Sequence, residues 1–540
     1  MRPSRLVCAD SLTSIRTFSI ELNSDPDNLF ATELDSPTNI LVLSSNNTVK
    51  PLILGRDRSP PTQALSGLDT GRDGWLSVPN NRTQVDTVNA TLQPDKFGMD
   101  FWSSLESQLV TVKKPTALEF ENNFGEFWVY GDWKVTGKNK RGGLTITFGP
   151  DGVPDANPET VIIGSPLDGT KNPHVTMGMT FQDITGVVLY QFGFYYILPL
   201  TAPVVVSTPD PTVPVTTLKP SKNACQFTLG DYNVENLAPK SSSLPTVATH
   251  IGHFLASPDI MFLQEIQDSS GATDDGTVDA NVTLSTLSAA ITKVDNSTTY
   301  DLIDLAGVNN EDGGEPGGNI RPAYLFRSSK VKLLPGAPKG GALDATKPIR
   351  GRDGRVNLSF NPGRIDPTNA AWNASRKPLV AAWETTNGQR FFTINVHLTA
   401  KLDSTTTQGN ARPPVNAAVE QRTSQVETIA TFVKSLLKLD PLASIIIAGD
   451  HNEYIQTRSV FTAFDNLVHE IDEVSNVPVT ERYTYVFDQN TEQLDHMWVS
   501  TAVALRGTKV EHVHVNNWSP TLSQRTSDHD PSVAQLLHGL

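Results

Sequence analysis

The residues best suited to chemistry sit at the ends of apolar runs in the second half of the sequence. Asp450 and Asn452 follow the run SIIIAG, Glu265 closes IMFLQE, and His397 closes RFFTINVH. Asn233 lies within QFTLGDYNVENL, while Asp495–His496 and Asp528–His529 occur in QLDHMWVS and RTSDHDPSV. Carboxylate and amide oxygens suit hard divalent cations, and an imidazole beside a carboxylate suits proton transfer. Each segment alone has a plain structural reading. Gly-Asp-His-Asn is an ordinary Asx turn, a strand-end Glu is often a satisfied edge residue, and a single His is usually structural. Six such segments together point to one polar site. Two-residue alternation places Asp450 and Asn452 on one face and His451 on the other, where a buried imidazole needs a hydrogen-bond partner. His496, His512 and His514 resemble zinc ligands, but no Cys or third His stands at suitable spacing, so their structural reading is the stronger.

Positioning these residues requires strands whose polar ends gather at one edge. Ile260–Glu265 and Ser444–Asp450 read as strands buried on both faces. Helical spacing appears at Val247, Ala248, Ile251, Phe254 and Leu255. It recurs at Leu284, Leu287, Ile291 and Val294, and at Val426, Ile429, Ala430, Val433, Leu436 and Leu437. Strands alternating with helices predict a two-sheet sandwich covered by helices over residues 223–540. Residues 201–222, rich in Pro, Thr and Val, read as an extended linker. Upstream the signals are almost all β: residues 101–200 predict a barrel or sandwich, and residues 1–100 an incomplete or divergent β-rich region with strands at Asn39–Ser45 and Val49–Gly55. Trp128, Tyr130 and Trp133 near Lys134, Lys138, Lys140 and Arg141 could form a stacking platform; an aromatic β core is the plainer reading.

At 540 residues the chain is too long for a single core. Its net charge of −15 argues against coating nucleic acid through a basic surface, although a bound cation can supply positive charge locally. Cys8 and Cys225 are the only cysteines, so there is no disulfide framework. No apolar run is long enough to span a bilayer, and no obligate protein partner is inferred. The N-terminal apolar stretch is broken by Asp10 and Arg16, unlike a signal peptide.

Taken jointly, YNVEN, LQEIQ, NVHL, GDHN, LDH and SDHD resemble the strand-end motifs of the DNase I-like endonuclease/exonuclease/phosphatase superfamily. GEFWVYGDWKVTGKN, GGEPGGNIR and DPTNAAWNASRKPLV extend the likeness to predicted extracellular nucleases of fungi and bacteria. The resemblance implies an α+β fold, a four-layer α/β/β/α sandwich preceded by β-rich, OB-like domains. It implies a secreted, Mg²⁺- or Mn²⁺-dependent phosphodiesterase acting on nucleic acid, DNA or RNA, with low sequence specificity. Carried over, Asn233, Glu265 and Asp528 would hold the metal. Asp450 and Asn452 would orient the attacking water and a phosphate oxygen, and His529 paired with Asp495 would be the base or a phosphate clamp. His397 would donate to phosphate or act as the partner acid, and Arg376 and Arg321 would contact phosphate. An alternative substrate class is inositol phosphates or phospholipid headgroups. The inositol-phosphatase version of the motif usually reads G-D-x-N-x-R, whereas Glu453 and Tyr454 follow Asn452 here.

Overall fold

The computed structural model describes residues 4–8, 11–16, 19–22, 31–34, 38–45, 47–77, 91–223 and 226–537. Cys225 lies outside them. The chain divides into two compact units. The first comprises Met1–Asp210 with two excursions from further along the chain, Asp403–Asn416 and Phe487–Asn490; the second comprises the remainder from Pro211.

The first unit is β-rich, as expected. Its main sheet has nine strands, with the hairpin Ile184–Gln191 and Phe194–Pro199 at its heart. Ile184–Gln191 alternates strictly between buried and partly exposed positions, the signature of a strand packed on one face. Val110, Val112, Phe127, Val129, Ile163, Val188 and Ile197 share a core with Phe101 and Trp102. Trp128 and Tyr130 are buried in a second cluster, so they are core residues and offer no stacking platform. Among the earliest residues Thr38–Ser45 is a strand, as predicted, whereas the Val49–Gly55 segment contributes only Leu52–Ile53. The excursions are tied in by buried polar groups: Arg412 pairs with Asp69, and the Asn157 amide donates to Asn490 Oδ1 at 2.8 Å.

The second unit is built on two sheets. In chain order the elements that frame the site are β1 (Gln226–Leu237), α1 (Leu244–Thr249), β2 (Ile260–Ile266), α2 (Asn281–Val294), β3 (Asp301–Ile303), β4 (Arg321–Phe326), β5 (Val331–Leu333), β6 (Leu379–Thr385) and β7 (Arg390–His397). They continue with α3 (Val419–Leu439), β8 (Ile445–Asp450), β9 (Val468–Glu470), β10 (Asp495–Ser500), β11 (Thr508–His512) and β12 (Ser532–Leu537). One sheet runs β3-β4-β2-β1-β12-β11. The other runs β5-β6-β7-β8-β10-β9, with the short strand Gly363–Arg364 pairing beside β6. Within each, the central pair is parallel: β1 with β2, and β7 with β8.

Alternation along β2 shows how the layers form. Ile260 and Phe262 pack between the sheets with Tyr324, Trp383, Phe391, Ile446 and Met497. Met261 and Leu263 face the other way, against Val247, Ile251, Leu284, Leu287 and Ile291 of the α1–α2 region. Each such buried side chain contributes roughly 1.5–3 kcal/mol. On the far side, Phe392, Ile394, Ile445 and Ile447 are buried, as is the Val426–Ile429–Val433–Leu436 stripe of α3. The helical spacings held except near helix ends: Val294 is exposed, and Phe254 and Leu437 are only half-buried.

The predicted linker is not a free connector. Val205–Ser207 is a strand paired with Thr180–Phe181 in the first unit. In the second, the Thr216 hydroxyl donates to Glu511 at 2.7 Å and Leu218 is buried in the α1–α2 core. Proline fixes extended backbone but does not stop its apolar neighbours from packing.

Candidate active site

Strand register gathers the polar strand ends. His397 ends β7 opposite Asp450 at the end of β8, and Asp450 is paired in turn with Asp495, the first residue of β10. In the other sheet Asn233 stands opposite Gln264, one residue before Glu265, and Ser532 beside Asp231 brings in the loop that carries Asp528 and His529. Six segments spread over some 300 residues of sequence thus end at one edge.

Asp450 is the hub. Its Oδ2 lies 3.4 Å from His397 Nε2 and 3.8 Å from His529 Nε2, and accepts from the amide nitrogens of Asn233 at 3.1 Å and Asn452 at 3.0 Å. Burial pushes the Asp450 carboxyl up to about 7; His529 opposes that shift and Asp495 adds to it. The strand stops at Asp450. Asn452 has a left-handed backbone (φ 50°) and its N–H donates to Asp450 Oδ1 at 2.7 Å. An Asx turn, rather than continued alternation, therefore holds Asn452 beside Asp450. Gly449 makes this turn possible: its φ is 135°, and a Cβ would sit 2.0 Å from the Val396 carbonyl oxygen.

Asp495 and His529 form a buried pair, Oδ2 to Nδ1 at 2.7 Å, and the Thr484 hydroxyl donates to the same Oδ2 at 2.6 Å. Burial opposes both charges. His529 and Thr484 nevertheless hold the Asp495 carboxyl below its ordinary value, and Asp495, Asp450 and Asp528 hold the His529 imidazole well above its own. With Nδ1 fixed by Asp495, His529 presents Nε2 toward Asp450 and, at 4.0 Å, Asp528 Oδ1. The Tyr485 ring lies against it at 4.9 Å. His397 is the electrostatic opposite: burial, with Arg376 and His529 nearby, keeps it neutral.

Among the described residues two groups could hold a cation: Glu265 with His397 and Asp450, and Asp450 with Asp495 and His529. The first fits a divalent ion by the chemistry of its donors. Glu265 Oε1 and Asp450 Oδ2 are hard oxygens, and a cation between them would oppose the burial that pushes the Asp450 carboxyl up. The expected metal set was Asn233, Glu265 and Asp528. Asn233 instead gives its amide nitrogen to Glu265 and Asp450, its Oδ1 accepting from the Glu235 N–H at 3.1 Å, and Asp528 joins neither group.

The two arginines diverge. Arg376 is buried, donates to the Leu398 carbonyl and keeps Nε without a partner; Asp450 and Glu265 are the first charges acting on it. Its neighbour Lys377 donates to Asp312 at 2.6 Å, and Arg364 approaches the same carboxylate at 3.2 Å. Arg321 is committed elsewhere: its guanidinium donates to the Asn319 and Val278 carbonyls and pairs with Asp304 at 3.3 Å. It is a buried clamp between loops, because a guanidinium closing a loop satisfies several carbonyls at once.

Four further histidines are held by structural partners. His451 bonds the Gly449 carbonyl oxygen at 2.8 Å and His496 that of Glu453, also at 2.8 Å; burial pushes them down to about 3 and about 4. His512 pairs with Asp472 at 3.0 Å and His514 with Asp530 at 2.9 Å.

Several site residues had no sequence signal strong enough to find them. The Gln264 amide nitrogen bridges Asp231 Oδ1 at 2.9 Å and Asn395 Oδ1 at 2.8 Å, linking the two sheets beneath the site. Glu453 is fully buried between Arg422 at 3.0 Å and Lys401 at 3.2 Å, and so fixes the turn that carries Asn452. Asp231 could have been suspected, since alternation puts it on the same face as Asn233. Gln264 and Glu453 could not, because their partners come from distant segments.

The sequence matches the Endonuclease/Exonuclease/phosphatase family over residues 232–529, more than half of the 540-residue chain. The chain belongs to that family. Residues 53–210 match a domain of unknown function, DUF8508. No curated protein matches the sequence. Solved structures similar to this chain include a humanized D. rerio TDP2, 17% identical, covering 58% of this chain and 99% of its own, with a TM-score of 0.36. A family protein from Bacteroides thetaiotaomicron is 18% identical, covering 58% and 96%, also at 0.36. D. rerio TDP2 complexed with single strand DNA product is 17% identical, covering 58% and 98%, at 0.35. The endonuclease/exonuclease/phosphatase assignment makes the second unit a phosphoesterase domain with the DNase I-like fold, and no helix among the described residues is long and apolar enough to cross a membrane.

Proposed function

We propose that this protein is a divalent-metal-dependent phosphodiesterase that hydrolyses nucleic acid with low sequence specificity. The observation that carries the reading is the Asp495–His529 pair aimed at Asp450, set beside the Glu265–His397–Asp450 group. Glu265 and Asp450 would hold Mg²⁺ or Mn²⁺. When bound, such an ion neutralises charge developing on the scissile phosphate. His529, oriented by Asp495, would clamp a phosphate oxygen as the imidazolium, or, once it has given up its Nε2 proton, take that of the attacking water. Asn452 orients the phosphate, and neutral His397 donates a hydrogen bond to it. Arg376, charged and incompletely satisfied, is the phosphate-facing cation. Arg321 has no part in this reading, because its donors are used internally. The substrate preference is supported by the resemblance of GEFWVYGDWKVTGKN, GGEPGGNIR and DPTNAAWNASRKPLV to segments of predicted extracellular nucleases.

The deciding experiment compares plasmid DNA, single-stranded RNA and an inositol polyphosphate with Mg²⁺, Mn²⁺ or EDTA, using His529→Ala as control. Metal-dependent nicking that falls ~10²-fold or more in His529→Ala and in Glu265→Ala is the expected result. Intact nucleic acids with phosphate released from the inositol compound would overturn the substrate class while keeping the site. Unchanged turnover in either variant would overturn the site.

A further inference from the structure

Far from this site, the second unit has a cleft of about 330 Å³ lined by Arg350, Arg355, Arg390 and Arg506. Arg390 is the first residue of β7, and Ser444, also lining the cleft, immediately precedes β8. His397 and Asp450 close the opposite ends of those strands. With a rise of about 3.3 Å per residue, the cleft lies roughly 23 Å from them along β7.

Four arginines lining one cleft in a chain of net charge −15 need an explanation. Protein acceptors account for only part of their capacity. Arg506 spends one N–H, on Ser444 Oγ at 2.7 Å. Arg355 makes only long contacts to the Gly388 carbonyl, at 3.4 and 3.5 Å. Arg390 pairs with Asp353 and reaches the Val356 carbonyl at 3.4 Å, while its Nε is buried without a partner. Arg350 donates to the Gly354 carbonyl at 2.8 Å and caps the C-terminus of α3 through the Leu439 carbonyl at 3.1 Å, which answers the partial negative charge there. The carboxylates at hand are Asp353, used by Arg390, and Asp440, whose Oδ1 accepts from the Leu442 N–H. Positive charge is left over.

We propose that this cleft binds a compact oxyanion bearing two or more negative charges, a pyrophosphate or a terminal phosphate monoester, independently of the catalytic cluster. Planar guanidinium forks recognise such oxyanions through paired N–H donors, and the cleft is larger than a single water needs yet too small for a folded partner. The inference does not rest on the nuclease reading.

Calorimetric titration of the full chain with pyrophosphate, in EDTA and at constant ionic strength, tests it. Saturable binding weakened tenfold or more in both Arg506→Gln and Arg355→Gln is expected, with His529→Ala and Arg376→Gln within twofold of the parent. Arg352→Gln, an exposed charge that does not line the cleft, should also stay within twofold. A 5′-phosphorylated trinucleotide should compete, and the same trinucleotide with a 5′-hydroxyl should not. No saturable binding up to about 5 mM, where an interaction would be weaker than ~3 kcal/mol, would overturn the proposal. So would affinity that follows His529 or Arg376, an equal loss in Arg352→Gln, or equal binding of the 5′-hydroxyl trinucleotide.

Discussion

Acid should destabilise the second unit through His250, by an amount that can be worked from its surroundings. The imidazole is buried in the α1–α2 core, and its Nδ1 lies 3.0 Å from the Tyr232 hydroxyl. That hydroxyl accepts from the Asn516 amide nitrogen at 3.0 Å, and a neutral ring with its hydrogen on Nε2 leaves Nδ1 to accept the hydroxyl proton. Protonation would set an N–H against a hydroxyl proton. Burial pushes the pKa down to about 4, from about 6.5 in the unfolded chain. Because the folded value is the lower one, the unfolded chain takes up the proton first as pH falls. The contribution is complete above pH ~6.5 and is lost progressively down to pH ~4. At pH 5 the loss comes to ~2 kcal/mol, or about 30-fold in an opening equilibrium. Native-state hydrogen exchange of peptides covering β1 and α1, corrected for intrinsic rates, reads this directly. The parent and His250→Gln should differ in the slope of protection against pH between pH 7 and 5, since all other titrating groups cancel in the comparison. Parallel slopes for the two proteins would refute the argument that His250 is held neutral.

Gly449→Ala should cost ~3 kcal/mol or more in thermal unfolding, because its Cβ would meet the Val396 carbonyl oxygen at 2.0 Å in a backbone region alanine avoids; a melting temperature within 2 °C of the parent would contradict this. Gln264→Leu removes the bridge between Asp231 and Asn395 and should destabilise by ~1–3 kcal/mol in urea unfolding, with a buried acceptor left unpaired; no change would mean that water replaces the amide. Arg422→Met leaves Glu453 paired with Lys401 at 3.2 Å and should cost ~3 kcal/mol by the same measurement, whereas an unaltered midpoint would show that Lys401 suffices.

The catalytic half was legible because its signals are local. Apolar runs such as SIIIAGD and IMFLQE are strands with their polar residue at the end, and both properties survive any rearrangement of the rest of the chain. The amphipathic spacing of α2 and α3 likewise required only the helical repeat. The upstream region was less readable. Alternating apolar strands identified it as β, but the order of nine short strands depends on pairing partners far apart in sequence. The aromatic segment Trp128–Tyr130 shows the difficulty: an apolar strand between charged turns looks the same whether its face is open or covered.

Residue type and strand-end position in the sequence alone determined which side chains had chemical potential: Asn233, Glu265, His397, Asp450, Asn452, Asp495, Asp528 and His529. Only the tertiary structure decided what each one faces. It turned Asn233 into a donor to two carboxylates, sent Arg321 into a loop clamp while leaving Arg376 near Asp450, and drew residues 403–416 and 487–490 into the first unit. The physical reason is that hydrogen-bond partners and burial are properties of neighbours in space. A guanidinium carries the same charge in any sequence; the acceptors that enclose it exist only once distant segments have packed together.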